Sequence, residues 1–196
     1  MTSTPLSVSA YVVLGLLGRH GGATAYQLDQ RIRQSIGYFW GFPRSQLYAE
    51  AGRLARRGLV AEHQEEGGRH RRTLSLTEEG RQELCRWLAA PTQATTEIHD
   101  EGLLRLYFQP QTCDTDATDT ADTVEAISGL AAEQIRAHEG RLDEYERLVA
   151  SGILPSASPQ RATVEVGLRF EHMIIDFWRE IAASPAHLIE GNGDKA

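Results

Sequence analysis

Residues 43–72 read PRSQLYAEAGRLARRGLVAEHQEEGGRHRR, and the order of signals within them decides the fold. Leu47, Ala51 and Leu54 recur at i, i+4 and i+7, which sets them on one face of a helix. Gly58 comes just past the last apolar residue and after Arg56 and Arg57, where a glycine commonly ends a helix. A short β-prone run follows at 59–64. Then come the turn signal Gly67-Gly68, the cationic cluster Arg69, His70, Arg71 and Arg72, and a second short strand at 73–76. A helix followed by a basic two-stranded ribbon is the reading half of a winged helix, which presents one helix to the major groove of DNA.

Pro43 suits the first turn of this helix, because its φ is already helical and its missing N–H is not needed there. The face opposite the apolar stripe carries Ser45, Ala49, Gly52 and Arg56, with Arg53 at its edge. Small residues there let a helix sit deep in a groove. Arg44, Ser45 and Gln46 stand at the N-terminal end, from which side chains usually reach base edges. Gln pairs with adenine and Arg with guanine in two-pronged fashion, and the free amides of a helix N-terminus favour a phosphate. In the ribbon, Arg69, Arg71 and Arg72 gather around a hairpin tip beside glycines, a placement suited to phosphates or a narrow minor groove. Glu62, Glu65 and Glu66 lie on the incoming strand, placed to pair with these arginines and moderate non-specific affinity.

Before this stretch the sequence predicts two helices. The first runs from about residue 7 or 9 to 18 with Val12, Val13, Leu16 and Leu17 inward. The second spans about 24–37, capped by Thr24, with Tyr26, Leu28, Ile32 and Ile36 as its buried stripe. The link at 38–43 is rich in aromatic residues that pack the corner between the second and third helices. After the ribbon, Thr77 caps a fourth helix that runs to about Ala90 with Leu84, Trp87 and Leu88 inward. Glu78 and Glu79 stand where the helix dipole favours acids.

These residues carry a family resemblance. L-Y-x-x-x-x-R-L-x-x-x-G-L-V at 47–60 and R-R-x-x-x-L-T-x-x-G-R at 71–81 resemble the PadR family of bacterial transcriptional regulators, as do V-L-G-L-L at 13–17 and A-Y-Q-L at 25–28. The likeness covers roughly residues 6–90; the second half matches in length and helical character only. It implies a homodimer that binds inverted-repeat operator DNA, with a C-terminal helical region that dimerises and often senses small aromatic compounds. It also implies that Tyr48 helps hold the DNA backbone. Two positions depart from the family pattern: Ala51, where a larger apolar residue is usual, and Ala55, where an acid is frequent.

The net charge of −7 looks unfavourable for a DNA partner until the chain is split. Residues 1–90 hold 12 Arg and 8 acidic residues, or +4, whereas residues 91–196 hold 8 basic and 19 acidic residues, or −11. A basic binding module joined to an acidic module with another task explains the asymmetry. Past a linker at 92–96, a helix is predicted at 97–108 and an exposed Thr/Asp-rich loop at 110–122. A long helix at 123–151 carries Val124, Ile127, Ala131, Ile135, His138, Leu142, Tyr145 and Val149 in a heptad rhythm with one four-residue stutter. The last helix, at 160–183, is apolar over most of its circumference, which calls for packing against its own chain and a second subunit.

Catalytic and metal motifs are absent from the sequence: no G-x-S-x-G, H-E-x-x-H or phosphate-binding glycine loop occurs. His99, Asp100 and Glu101 are sequence neighbours that point apart on a helix, and His138 reads as a packed or hydrogen-bonded interior histidine. Cys85 and Cys113 read as free thiols in a reducing compartment. Without a membrane-length apolar run or a signal segment, the expected location is the cytoplasm.

The expected fold is therefore mainly α: a winged helix-turn-helix DNA-binding domain at 1–91, then a helical dimerisation and possible effector-sensing arm at 92–196. The expected function is repression by operator occupancy, with no enzymatic activity, cofactor or metal. The DNA-contacting set is Arg44, Ser45, Gln46, Tyr48, Ala49, Arg53, Arg69, Arg71 and Arg72. By aromatic type and family analogy, a small aromatic effector would meet Phe39, Trp40, Trp87, Tyr107 and Trp178. The alternative is a winged helix used as a protein-interaction module, its acidic arm meeting a basic partner.

Overall fold

Residues 5–64, 72–109 and 120–190 are described by the computed structural model, in which the chain divides into two compact units, Met1–Thr95 and Thr96–Ala196. In the first unit, short polar side chains set where helices begin. Ser7 opens α1 (Val8–His20), its Oγ accepting from the Ala10 amide. Thr24 opens α2 (Ala25–Arg33) with a reciprocal capping box shared with Gln27. A single 3₁₀ turn, Ile36–Tyr38, leads towards α3 (Arg44–Arg56). That helix ends as its sequence requires. Gly58 has φ 73°, its amide donates to the Ala55 carbonyl and the Leu59 amide to the Leu54 carbonyl, both at 3.0 Å. This double closure satisfies carbonyls that the helix end would leave bare.

The wing strands β1 (Val60–Gln64) and β2 (Arg72–Leu76) pair antiparallel, with Val60 opposite Leu76 and Gln64 opposite Arg72. β2 also bridges to Ala23 between α1 and α2, through backbone hydrogen bonds of 2.9 and 2.8 Å with Leu74. The base of the wing is thereby fastened to the helices behind it. Thr77 then caps α4 (Glu78–Ala89), accepting from the Gly80 amide and donating to the Gly58 carbonyl at 2.8 Å. At Gly80 a Cβ would stand 2.0 Å from the Leu59 carbonyl oxygen, so only glycine lets α4 begin this close to the strand. The core under these elements is Val13, Leu14, Leu17, Leu28, Leu47, Leu54, Val60 and Leu74, all buried. Each such side chain contributes about 1.5–3 kcal/mol of transfer free energy.

Several boundaries and faces differ from the expectations above. α2 stops at Arg33, four residues early, with Gln34 as its cap. Nine residues expose one narrow stripe to the core, taken by Leu28, Ile32 and the buried Asp29; Tyr26 points outward, 58% exposed. Pro43 lies just outside α3, its extended ψ of 135° leaving its carbonyl to accept from the Gln46 and Leu47 amides. On α4 Leu84 packs on the core, but Leu88 is 66% exposed and Trp87 lies flat on Tyr11 instead.

The second unit contains α5 (Glu101–Tyr107), α6 (Thr120–Ala150), α7 (Pro159–Ala183) and the short α8 (His187–Glu190). α6 and α7 run antiparallel: Tyr145 lies on Gly167, His138 meets Glu171, and Ala131 packs with Ile174 and Trp178. All eight residues of the predicted α6 seam are buried or half-buried. α7 turns Val164, Glu171, Ile174 and Trp178 inward and leaves Val166 and Met173 on its outside. α5 starts four residues later than predicted, because Asp100 caps it by accepting from the Leu103 amide at 2.9 Å. The Thr/Asp-rich loop falls mostly on 110–119, outside the described residues; 120–122 already belong to α6. The fold is mainly α with one two-stranded wing, as the sequence predicts. Among the described residues no helix is long and apolar enough to cross a membrane.

Candidate nucleic-acid interface

The outward face of α3 follows from its inward one. Leu47, Glu50, Ala51 and Leu54 are buried, so Ser45, Tyr48, Ala49, Arg53 and Arg56 are left exposed on the other side. Tyr48 is 52% exposed. Pro43 supplies no side-chain acceptor at the start of α3, whereas Ser7, Thr24 and Thr77 cap α1, α2 and α4. The first amides of α3 thus stay available to an anion.

Three residues expected to reach DNA already have partners within the protein. Arg44 donates through Nη2 to Asp29 Oδ2 at 2.7 Å, and Arg33 Nε lies 3.3 Å from the same oxygen. The Arg44 hydrogen bond, reinforced by Arg33, holds the buried Asp29 carboxyl below the ordinary carboxylate range against the cost of its burial. Arg53 donates through Nη1 to Glu50 Oε1 at 3.2 Å, an oxygen that also accepts from Ser7 Oγ at 2.7 Å. Both arginine side chains remain about half exposed, at 53% and 50%. Gln46 differs. It is half-buried and donates to Ser9 Oγ at 2.7 Å, so it ties α3 to α1.

In the wing, Arg72 is exposed at the start of β2. Arg69 and Arg71 lie outside the described residues, as do Glu65 and Glu66. Asp29, Glu50, Ser7 and Ser9 were not anticipated from the sequence. A signal was present for Glu50, an acid sharing the inward arc with Leu47 and Leu54, and for Asp29, which sits beside Leu28 on the stripe of α2.

The proposed effector residues occupy different settings. In the first unit Phe39 is 59% and Trp40 39% exposed. Trp87 stacks on Tyr11 with centroids 4.6 Å apart and planes at 9°. The Tyr11 hydroxyl donates to Glu83 Oε1 at 2.8 Å, and burial together with that bond pushes its pKa up. In the second unit Tyr107 is 80% exposed, while Trp178 is fully buried and meets Phe177 edge-on. The Trp178 indole N–H is buried with no acceptor among the described residues.

His138 is hydrogen-bonded in the interior of the second unit, its Nδ1 2.6 Å from Glu171 Oε2 and its Nε2 3.9 Å from Asp100 Oδ2. The two ring nitrogens face different carboxylates, so the three side chains do not converge on one ion. No group of three or more potential metal ligands occurs among the described residues. His172 points to solvent, and His99 pairs only with the exposed Glu97 at 3.4 Å.

This geometry meets its counterparts in known proteins. Residues 13–86 match the family model described as the transcriptional regulator PadR-like family. The negative transcriptional regulator PadR of Bacillus subtilis is 28% identical over 74% of this chain and 78% of its own length. The crystal structure of Bacillus subtilis PadR in complex with operator DNA superposes with a TM-score of 0.72 at 25% identity, covering 92% of this chain and 99% of that one. The structure of the same protein in complex with p-coumaric acid gives a TM-score of 0.67 at 22% identity over 93% and 97%. The winged helix-turn-helix with its half-exposed arginine face is thus similar to the PadR-like transcriptional regulators, in family model over residues 13–86, in sequence and in nearly full-length fold.

Proposed function

We propose that this protein is a cytoplasmic repressor that binds inverted-repeat operator DNA as a homodimer. Residues 1–91 form the DNA-binding domain and residues 92–196 the dimerisation and sensing arm. In this reading α3 enters the major groove with Arg44, Ser45, Tyr48, Ala49 and Arg53 towards DNA, Tyr48 on the backbone. The wing arginines Arg69, Arg71 and Arg72 meet phosphates. Gln46 acts at one remove, through its bond to Ser9. The observation that carries the reading is the face of α3: small residues and Tyr48 in the open, flanked by two half-exposed arginines. The operator complex of the Bacillus subtilis relative supports it.

Two copies of α3 would face successive major grooves about 34–36 Å apart. The second copy would cover the outer side of α7, where Val166 is 68% and Met173 54% exposed beside Arg169 and His172. The relative's complex with p-coumaric acid supports release by a small aromatic acid, which must bind one spacing of the two readers better than the other. The test is binding to a duplex selected from a randomised library and to a scrambled duplex, across a salt series. The expected result is preference for the selected duplex, saturation at two subunits per site, and a slope of about 0.9 log units of affinity per phosphate contact. Equal, weak binding to both duplexes would refute it.

A further inference from the structure

The two arginines on the face of α3 are each held by a buried carboxylate. Asp29 is 5% and Glu50 2% exposed. A buried carboxylate loses its hydration and must recover it from partners. Asp29 recovers it from Arg44 and Arg33. Glu50 recovers only part: Oε1 accepts from Ser7 and Arg53, while Oε2 is buried with no partner among the described residues. As a fastener for the fold this is poor design, because an apolar side chain of similar volume between Leu47 and Leu54 would pack there without the desolvation cost. As a fixed acceptor for Arg53 it is well placed.

We propose that Asp29 and Glu50 are positioning residues that fix Arg44 and Arg53 in the free protein, leaving their remaining donors aimed at operator DNA. A guanidinium has five N–H donors in a rigid fork, so binding a carboxylate with one edge does not exhaust it. An arginine held this way has already lost rotamer freedom before DNA arrives, and that loss no longer opposes binding. Only a correctly placed base or phosphate profits from a fixed fork. The two carboxylates therefore act on discrimination between sequences rather than on overall affinity. The inference rests on the reading of α3 as the DNA-contacting helix.

The experiment is a pair of double-mutant cycles, Asp29→Asn with Arg44→Gln and Glu50→Gln with Arg53→Gln, each variant checked for folding by thermal melting. Binding is measured to the duplex selected on the wild-type protein and to a scrambled duplex of equal length. Asn and Gln keep the shape and one acceptor but lose the charge that makes the bond strong. Each is expected to weaken binding to the selected duplex about three- to tenfold, as the arginine regains rotamer freedom that must then be lost on binding. Binding to scrambled DNA should stay unchanged, and no further loss should appear once the partner arginine is Gln. In the free protein, NMR signals of the Arg44 and Arg53 Nε–H groups should become mobile in the carboxylate variants. Equal losses on both duplexes, additive cycles or unchanged arginine mobility would overturn the proposal. Failure of the wild type to enrich any duplex would instead remove the reading of α3, and this inference with it.

Discussion

The two units share a helical architecture and use their surplus side chains in opposite ways. In the first unit the outer face of α3 and the start of β2 carry arginines, with Arg44, Arg53, Arg56 and Arg72 all exposed, beside scattered apolar groups such as Tyr26 and Leu88. The second leaves apolar groups outside: Leu104 at 55%, Tyr107 at 80%, Val166 at 68% and Met173 at 54% exposure. The charge balance runs in parallel, +4 for residues 1–90 against −11 for residues 91–196. A unit whose unmet needs are electrostatic fits a polyanion. One whose unmet needs are apolar and whose charge is negative is repelled by DNA and fits a protein surface.

The sharpest way to test this contrast uses one residue type in both units. Trp178 is fully buried against Ala131 and Ile174, and Trp178→Ala should cost about 3–5 kcal/mol. Trp87 keeps 39% of its surface in water, so Trp87→Ala should cost only about 1 kcal/mol, mostly the stacking on Tyr11. Urea unfolding of both variants measures the difference. Similar losses would mean that Trp87 is covered by something other than Tyr11. Gly80→Ala comes next, at about 3 kcal/mol, because its Cβ would be driven into the Leu59 carbonyl and α4 would have to move off the strand. An unchanged unfolding midpoint would show that α4 tolerates the shift.

The first unit was the more legible in sequence, for physical reasons. Its boundaries are written in residues with few alternatives: Thr24 and Thr77 as caps, Gly58 at positive φ, and an apolar spacing that only one helix face satisfies. The polar contacts beneath α3 are not legible in the sequence. Arg44, Gln46 and Arg53 are identified easily as DNA-contacting types, yet their partners Asp29, Ser9 and Glu50 come from sites 15, 37 and 3 residues away. Spacing cannot reveal the first two. Residue type alone puts Tyr26 and Leu88 inward, but a short helix has room for fewer inward positions than it has apolar residues. The α6 seam was legible throughout because 31 residues of one helix repeat the same pattern many times.

The apolar surplus of the second unit gives the next prediction. Val166→Glu combined with Met173→Glu should weaken self-association at least tenfold, about 1.4 kcal/mol, without altering the far-ultraviolet spectrum. Sedimentation at micromolar protein reads the effect. An unchanged mass would place the subunit contact on another surface and leave the outer side of α7 without an explanation. The parallel change in the first unit is Arg53→Gln, which should leave the mass unchanged and weaken DNA binding. If both variants failed in the same assay, the division of labour between the units would not hold.

The subtlest prediction concerns acid. Asp29 titrates below its usual value of 3.8 in the folded protein, chiefly through the Arg44 hydrogen bond, with Arg33 adding to it. A carboxyl whose folded pKa is depressed binds fewer protons folded than unfolded, so its stabilisation is fully present above the unfolded value. It is lost as pH falls through the folded one. The stability gap between wild type and Asp29→Asn should therefore be constant from neutral pH down to about pH 5 and close progressively at more acid pH. Urea midpoints measured at several acid pH values would follow the gap. A gap that stayed constant to the acid limit would mean that Asp29 acts through shape rather than charge, and that Arg44 is held by something other than its carboxylate.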